Sequence, residues 1–119
     1  MIFKKGEFFN GPGGIALGAK MAKVTDKYGE EYFLEHEWAN DIDEAACQTF
    51  INNICPDRPD SVITQDVREL EISKNRLSEI DAFTFGFPCN DYSLVGEKKG
   101  LSGDYGPLYI TSSFYTKRR

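Results

Sequence analysis

The pattern of apolar and polar positions predicts strands that alternate with helices. Short apolar or β-type runs predict strands at residues 2–9, 32–38, 61–64 and 81–87, with another apolar run at 108–114. Good helix formers or apolar residues at helical spacing predict helices at residues 15–22, 42–54 and 75–80. Asn40 or Asp41 is the expected N-cap of the second helix.

This alternation is typical of an α/β fold whose sheet is mostly parallel and carries helices on both faces. In such sheets, ligands bind outside the carboxyl ends of the strands. Four special positions follow predicted strands: the glycine-rich turn at residues 9–14, Asp41, Asp66 and Cys89. We therefore expect them to converge on one edge of the sheet and to form a site.

Composition and charge restrict the class of protein. A chain of 119 residues with 40% hydrophobic and 28% charged residues is one ordinary globular domain. The net charge of −5 does not indicate a nucleic-acid surface. Neither an apolar stretch of the ~20 residues that span a membrane nor a secretory signal is apparent. Three cysteines at irregular spacing form neither a disulfide framework nor a metal motif, so no metal is expected and the cytosol is the expected compartment.

The turn F-N-G-P-G-G removes side chains where a backbone must closely approach a ligand and directs helix N–H groups towards it. It matches neither the G-x-G-x-x-G dinucleotide pattern nor a phosphate-binding loop, so a plain tight turn is the alternative. Asp41 can accept from both hydroxyls of a ribose, or it can serve only as a helix cap. Asp66 is either a ligand-binding carboxylate or a solvated loop residue.

Cys89 lies at the junction between a predicted strand and a polar loop that carries Lys98 and Lys99. Exposure and nearby positive charge favour a reactive thiolate, although spacing alone favours a structural thiol over a nucleophile. His36 is the only histidine, and we interpret it as a surface residue rather than as a base. Cys47 is interpreted as a helix-packing thiol and Cys55 as a loop thiol.

Four motifs in order resemble those of the DNA (cytosine-5) methyltransferases, which use S-adenosylmethionine. The segment G-F-P-C-N-D-Y-S-L-V-G-E-K-K-G resembles their G-F-P-C-Q-x-F-S-x-x-G-x-x-x-G catalytic motif. The opening F-N-G-P-G-G resembles their F-x-G-x-G-G cofactor motif. The segments N-D-I-D-E-A-A-C-Q-T-F and Q-D-V resemble their second and third motifs.

The resemblance implies a partial Rossmann-like methyltransferase fold and assigns cofactor-binding roles. Phe9 would pack near the adenine, and a glycine-rich group would leave space for the methionine part of S-adenosylmethionine. Asp41 would hold the ribose hydroxyls, and Ile42 would pack on the adenine face. Asp66 would accept from the adenine amino group, with Val67 beside it. The glycine-rich group consists of Gly11, Pro12, Gly13 and Gly14.

The resemblance also implies a covalent mechanism. Cys89 would attack carbon 6 of a flipped-out cytosine, so that carbon 5 takes the methyl group. Pro88 would shape the pocket for the base, and Ser93 would lie near phosphates. DNA is the implied substrate, with RNA as the alternative. The implied location is the cytoplasm of a bacterium or phage host, or the nucleus in a eukaryote.

The sequence departs from the family pattern in three ways. Asn90 replaces the usual Gln, and Tyr105 stands where an Arg is common. The E-N-V motif, the target-recognition region and the closing C-terminal helix are not found. We therefore interpret residues 1–119 as the N-terminal part of a catalytic domain that is inactive alone and needs a complementary half or self-association. The alternative is a non-catalytic remnant that binds only the cofactor or a partner.

Overall fold

A computed structural model describes residues 1–70 and 77–86 of the chain. Five strands, two α-helices and one 3-10 turn make up this part. In chain order they are β1 (Ile2–Phe8), α1 (Gly14–Met21), β2 (Lys23–Thr25), β3 (Glu31–Asp41), α2 (Glu44–Ile54), the 3-10 turn (Pro59–Ser61), β4 (Val62–Thr64) and β5 (Ala82–Phe85).

The strands form one sheet that is mostly parallel. β1 lies between β3 and β5 and runs parallel to both. Two short strands pair with the outer edge of β3. β2 pairs with its first residues in the antiparallel sense, and β4 pairs with its last residues in the parallel sense. The four parallel strands therefore lie in the order β4, β3, β1, β5, with their carboxyl ends at one edge.

Successive residues of β3 supply the two hydrophobic clusters, one on each face of the sheet. Ala39 packs among residues of α1 and α2, including the fully buried Phe50. Trp38 and Phe8 lie in the other cluster, which Val67, Leu70 and Leu77 complete. Both described helices thus contribute to one cluster, and residues outside the helices complete the other.

The predicted α/β class and mostly parallel sheet are confirmed. β1, α1, β4 and β5 lie within a few residues of the predicted segments, with residue 87 of the predicted last strand outside the described residues. β3 extends well beyond the predicted 32–38. β2 was missed, since a three-residue strand with fully exposed side chains carries little hydrophobic pattern.

Two helix predictions need correction. The second helix begins at Glu44 rather than at residue 42, and its N-cap is Asp43, whose carboxylate accepts from the Ala46 N–H at 3.1 Å. The third helix, predicted at 75–80, is absent from residues 77–80, and its first two residues lie outside the described part. There the Trp38 indole donates to the Ser78 carbonyl, and Leu77 is buried. Neither α1 nor α2 is long and apolar enough to cross a membrane.

Candidate functional site

The carboxyl edge of the sheet gathers three of the four predicted positions. The glycine-rich turn leaves β1, Asp41 ends β3, and Asp66 follows β4 by two residues. Strand order reverses at β1, because β3 and β4 lie on one side of it and β5 on the other. This is the place where open α/β sheets bind ligands.

The glycine-rich turn has a backbone that ordinary side chains adopt with difficulty. Gly11 has φ +53° and Gly13 has φ +112°. A Cβ on Gly13 would lie 3.2 Å from Ile54 and 3.3 Å from Phe50, whereas one on Gly11 would have no atom within 4 Å. Phe9 also has a positive φ, of 56°, which is strained for an aromatic residue. The unusual backbone is therefore a specific structural feature of this turn, which is accessible to solvent at Gly11, Pro12 and Gly14.

Asp41 joins the glycine-rich turn to the start of α2. Its Oδ2 accepts from the Gly11 N–H at 2.8 Å, and its Oδ1 accepts from the Asp43 N–H at 3.0 Å. A carboxylate has about four acceptor positions, so these bonds leave about two for a ligand. Ile42 follows directly with 66% of its side chain exposed. The predicted capping role of Asp41 is wrong, since Asp43 caps the helix.

Asp66 has a different environment from Asp41. Its carboxylate accepts from the Arg68 backbone N–H at 2.9 Å and from the Arg68 guanidinium at 2.6–3.2 Å. The Arg68 side chain holds the pKa of Asp66 below its usual value. Val67, between these two residues, is buried in the cluster of Trp38 and Phe8. Val67 therefore anchors the turn that carries Asp66.

Asn40 connects the ends of β3 and β4 by hydrogen bonds. From the sequence it was identified only as a candidate helix cap. Its buried side-chain amide donates to the carbonyls of Ile63 at 2.7 Å and Gln65 at 2.9 Å. The Gln65 N–H donates in turn to the Asp41 carbonyl at 3.0 Å. These bonds fix the spacing between the ends of β3 and β4, and so between the residues that carry the two carboxylates.

A buried ion pair lies below the glycine-rich turn and was not predicted. Lys5 Nζ is 2.7 Å from Glu7 Oε1, and both side chains are only 1% exposed. Burial raises the pKa of Glu7, although the bond and charge of Lys5 oppose this, and the charge of Asp41 adds to it. The only sequence signal was a pair of charges two positions apart in a strand, which usually marks a solvated face.

The remaining titratable groups contribute to packing. His36 is half-buried against Phe50 rather than on the surface, and burial, with the charges of Lys5 and Arg58, lowers its pKa to about 4. Cys47 packs inside α2 as predicted, whereas Cys55 is its buried C-cap rather than a loop residue. Burial raises the pKa of both thiols. Residues 1–70 and 77–86 contain no cluster of three or more acidic, His or Cys side chains that could hold a metal.

Cys89, Pro88 and Ser93 lie outside the described residues. In the sequence, Cys89 follows the last residue of β5 by four positions. β5 runs parallel to β1, so it delivers the chain to the same edge as the glycine-rich turn.

Comparison with known proteins agrees with this geometry. The model of the C-5 cytosine-specific DNA methylase family matches residues 3–118. The chain belongs to this family.

Bacterial type II methyltransferases are similar to the chain over most of its length. M.BbvI of Brevibacillus brevis is 66% identical over 112 residues, which cover 92% of this chain and 30% of that relative. M.NgoFVII of Neisseria gonorrhoeae is 32% identical over 85% of this chain, and M.Eco47II of Escherichia coli is 33% identical over 87%. These two matches cover 23% and 22% of the relatives. The chain thus spans less than a third of each of these methyltransferases.

Proposed function

We propose that the chain forms the cofactor-binding and nucleophile part of an enzyme that methylates carbon 5 of cytosine in DNA. S-Adenosylmethionine would supply the methyl group. Family membership supports this class of reaction, and the names of the similar proteins support a restriction-modification setting in the bacterial cytoplasm. The 119 residues would bind the cofactor, and the whole enzyme would need further polypeptide.

The observation that carries the proposal is the junction between Gly11 and Asp41. The turn approaches a ligand with backbone alone, and Asp41 keeps about two acceptor positions beside it. Two adjacent ribose hydroxyls would donate to those positions, and the exposed Ile42 would cover one face of the adenine. Phe9 would contact the adenine from the turn, while Gly13 and Gly14 would leave room for the methionine part.

Cys89 would act as the nucleophile. Its thiolate would form a bond to carbon 6 of cytosine, and the electron pair of the 5,6 double bond would make carbon 5 nucleophilic. Carbon 5 would take the methyl group from the sulfonium, which would leave as S-adenosylhomocysteine. Removal of the carbon 5 proton by a water molecule acting as base would then expel the thiolate and restore the double bond. Pro88 would shape the pocket for the base and Ser93 would contact a phosphate. DNA is the expected substrate because the matching family is specific for it, and RNA is the alternative.

A complementary C-terminal segment is the proposed partner, with self-association as the alternative. The matched methyltransferases are more than three times as long as their aligned segments. Several large apolar side chains are also exposed, including Met21 at 75% and Ile42 at 66%. Such surface is costly to leave in water and favours association.

The first test is calorimetric titration of the 119-residue chain with S-adenosylmethionine. We expect binding by the natural chain and at least a tenfold loss in Asp41→Asn, because the neutral amide accepts less strongly from the ribose hydroxyls. Asp43→Asn is the matched control, since Asp43 caps α2 without facing the turn, and it should keep the natural affinity. Equal binding by Asp41→Asn and the natural chain would contradict the assignment of Asp41.

A folded natural chain that binds no S-adenosylmethionine would contradict the cofactor role of these residues. Folding of each variant is checked by far-ultraviolet circular dichroism and by a cooperative melt before titration. Methyl transfer to DNA is then measured after mixing the chain with the corresponding C-terminal segment of M.BbvI, with Cys89→Ser as the inactive control.

A further inference from the structure

Arg68 occupies most of the acceptor positions of Asp66. Oδ1 of Asp66 accepts from the Arg68 backbone N–H at 2.9 Å and from Nε at 3.0 Å. Oδ2 accepts from Nε at 3.2 Å and from Nη2 at 2.6 Å. These four contacts come from three N–H groups, because the Nε–H is shared between the two oxygens, so they take about three of the roughly four acceptor positions of the carboxylate. Asp41, with two of its positions used, shows the contrast.

The two partners differ in how easily they can move. Asp66 is 16% exposed, and the turn that carries it is anchored by the buried Val67. The Glu69 N–H also donates to the Asp66 carbonyl at 3.0 Å. The Arg68 side chain is 49% exposed and long, so it can rotate into water while the backbone stays in place. When the ion pair opens, the Arg68 guanidinium therefore moves and the Asp66 carboxylate stays in place.

We propose that Arg68 is a built-in competitor for the cofactor adenine. This inference rests on the proposed function and on the role that the family resemblance implies for Asp66, whose carboxylate would accept from the adenine amino group. In the free protein the guanidinium contacts both oxygens of that carboxylate, and the amino group competes with it for Oδ2. Arg68 thereby sets the affinity of the adenine subsite, which neither the family match nor the similar proteins assign to this residue.

The expected change in cofactor affinity follows from the strength of the ion pair between Arg68 and Asp66. Exposed ion pairs contribute little, because both charges remain hydrated and a long side chain is immobilised. Displacing this half-exposed guanidinium therefore weakens cofactor binding only moderately. We expect Arg68→Gln to bind S-adenosylhomocysteine about threefold more tightly than the natural chain.

The experiment measures S-adenosylhomocysteine affinity by calorimetry for the natural chain, Arg68→Gln, Asp66→Asn and the double variant. A tighter Arg68→Gln supports the proposal if the same change has no effect in the Asp66→Asn background, because there the amide can no longer form the ion pair. Arg58→Gln is the matched control. Arg58 is similarly exposed, but its guanidinium donates to the carbonyls of His36 and Glu37.

A second ligand separates competition from general electrostatics. In the inosine analogue of S-adenosylhomocysteine, a carbonyl oxygen replaces the amino group and cannot donate to Asp66. We expect Arg68→Gln to leave the affinity for this analogue unchanged or to lower it, because the guanidinium can donate to that oxygen. A gain equal to that for the adenine ligand would overturn the proposal.

The outcomes distinguish this inference from the function on which it rests. If the natural chain binds and Arg68→Gln binds equally or more weakly, Arg68 is not a competitor and the cofactor site stands. If only Arg68→Gln binds measurably, competition is stronger than proposed and both ideas are supported. If neither folded protein binds, both the cofactor role and the competition are wrong.

Discussion

At the residue scale, the two acidic residues of the sheet edge differ in one property, the number of acceptor positions that the protein itself uses. Asp41 uses two acceptor positions for backbone N–H groups, which hold the carboxylate rigid and leave it able to bind a ligand. Asp66 uses about three, all with one neighbouring residue whose guanidinium contacts both of its oxygens. The sequence motifs predict a ligand-binding acid at both positions. Only the contacts in the structure show that the carboxylate of Asp41 is open to a ligand and that of Asp66 is occupied.

His36 makes the stability of the chain depend on pH. Its Nε2 lies 2.8 Å from the Ser61 hydroxyl, which itself donates to the Arg58 carbonyl, so Nε2 is placed to donate to that hydroxyl. The pKa is about 4 in the folded protein and 6.5 in the unfolded chain. Between these values the unfolded chain binds one more proton, so the free energy of unfolding falls as pH drops.

We expect this loss to reach about 1–3 kcal/mol between pH 7 and pH 4, the smaller figure allowing for partial exposure of the ring. Urea unfolding of the natural chain and of His36→Gln across this range measures it. Glutamine keeps an N–H donor for Ser61 but does not titrate. Glu7 and the other carboxyls are common to both proteins, so the difference between the two curves isolates His36. Parallel curves would show that His36 titrates alike in both states.

At the element scale, the connection between β1 and α1 depends on two glycines with different constraints. Gly11 has φ +53° and open space around it, so Gly11→Ala should cost about 1 kcal/mol of backbone strain. Gly13 has φ +112° and ψ 23°, also in the left-handed region, and its new Cβ would in addition press on Ile54 and Phe50. We therefore expect Gly13→Ala to cost about 3 kcal/mol.

Urea denaturation of both variants gives the comparison, and each is the control for the other. The ratio is the informative quantity, because both substitutions add one methyl group to the same turn. A smaller loss for Gly13→Ala than for Gly11→Ala would show that the turn relaxes away from α2. That result would also remove the reason for a glycine at position 13.

The boundary between β3 and α2 shows how far sequence predicts an element. Asn40, Asp41 and Asp43 are all suitable capping residues in the local pattern, and the prediction of Asn40 or Asp41 was wrong, because Asp43 is the N-cap. The choice depends on the Gly11 N–H, which comes from 30 positions away and engages the Asp41 carboxylate. Local spacing predicted both the strand and the helix. The residue at which the strand ends and the helix begins depends on a contact with a residue that is distant in the sequence.

The same reasoning explains the other misses. Residues 77–80 follow a helical pattern, yet Leu77 fills the cluster beside Trp38 and the Ser78 carbonyl accepts from the indole. Tertiary contacts override the local preference there. Charges two positions apart in a strand are typical of a solvated face, but Lys5 and Glu7 are buried as an ion pair. The pairing is incomplete, because Glu7 Oε2 has no hydrogen-bond partner in the described part of the chain.

At the scale of the whole molecule, the helical face of the sheet forms one packed unit, and two cysteines report on it. Cys47 lies within α2 and Cys55 ends that helix, and both belong to the cluster that contains Phe50 and Ala39. They are 1% and 3% exposed. A reagent reaches these thiols only when α2 separates from the sheet, so modification of either one measures opening of the same unit.

We expect Cys47 and Cys55 to react with iodoacetamide together, and at least a hundredfold more slowly than in the urea-unfolded chain at the same pH. Burial also raises both thiol pKa values, which lowers the thiolate fraction further. Timed labelling followed by peptide mass spectrometry gives the two rates separately, with Cys89→Ser removing the third thiol. Sub-denaturing urea should accelerate both reactions equally, since both report one cooperative opening. Rapid labelling of Cys55 alone would mean that the end of α2 frays independently, and that the helical face of the sheet is two units rather than one.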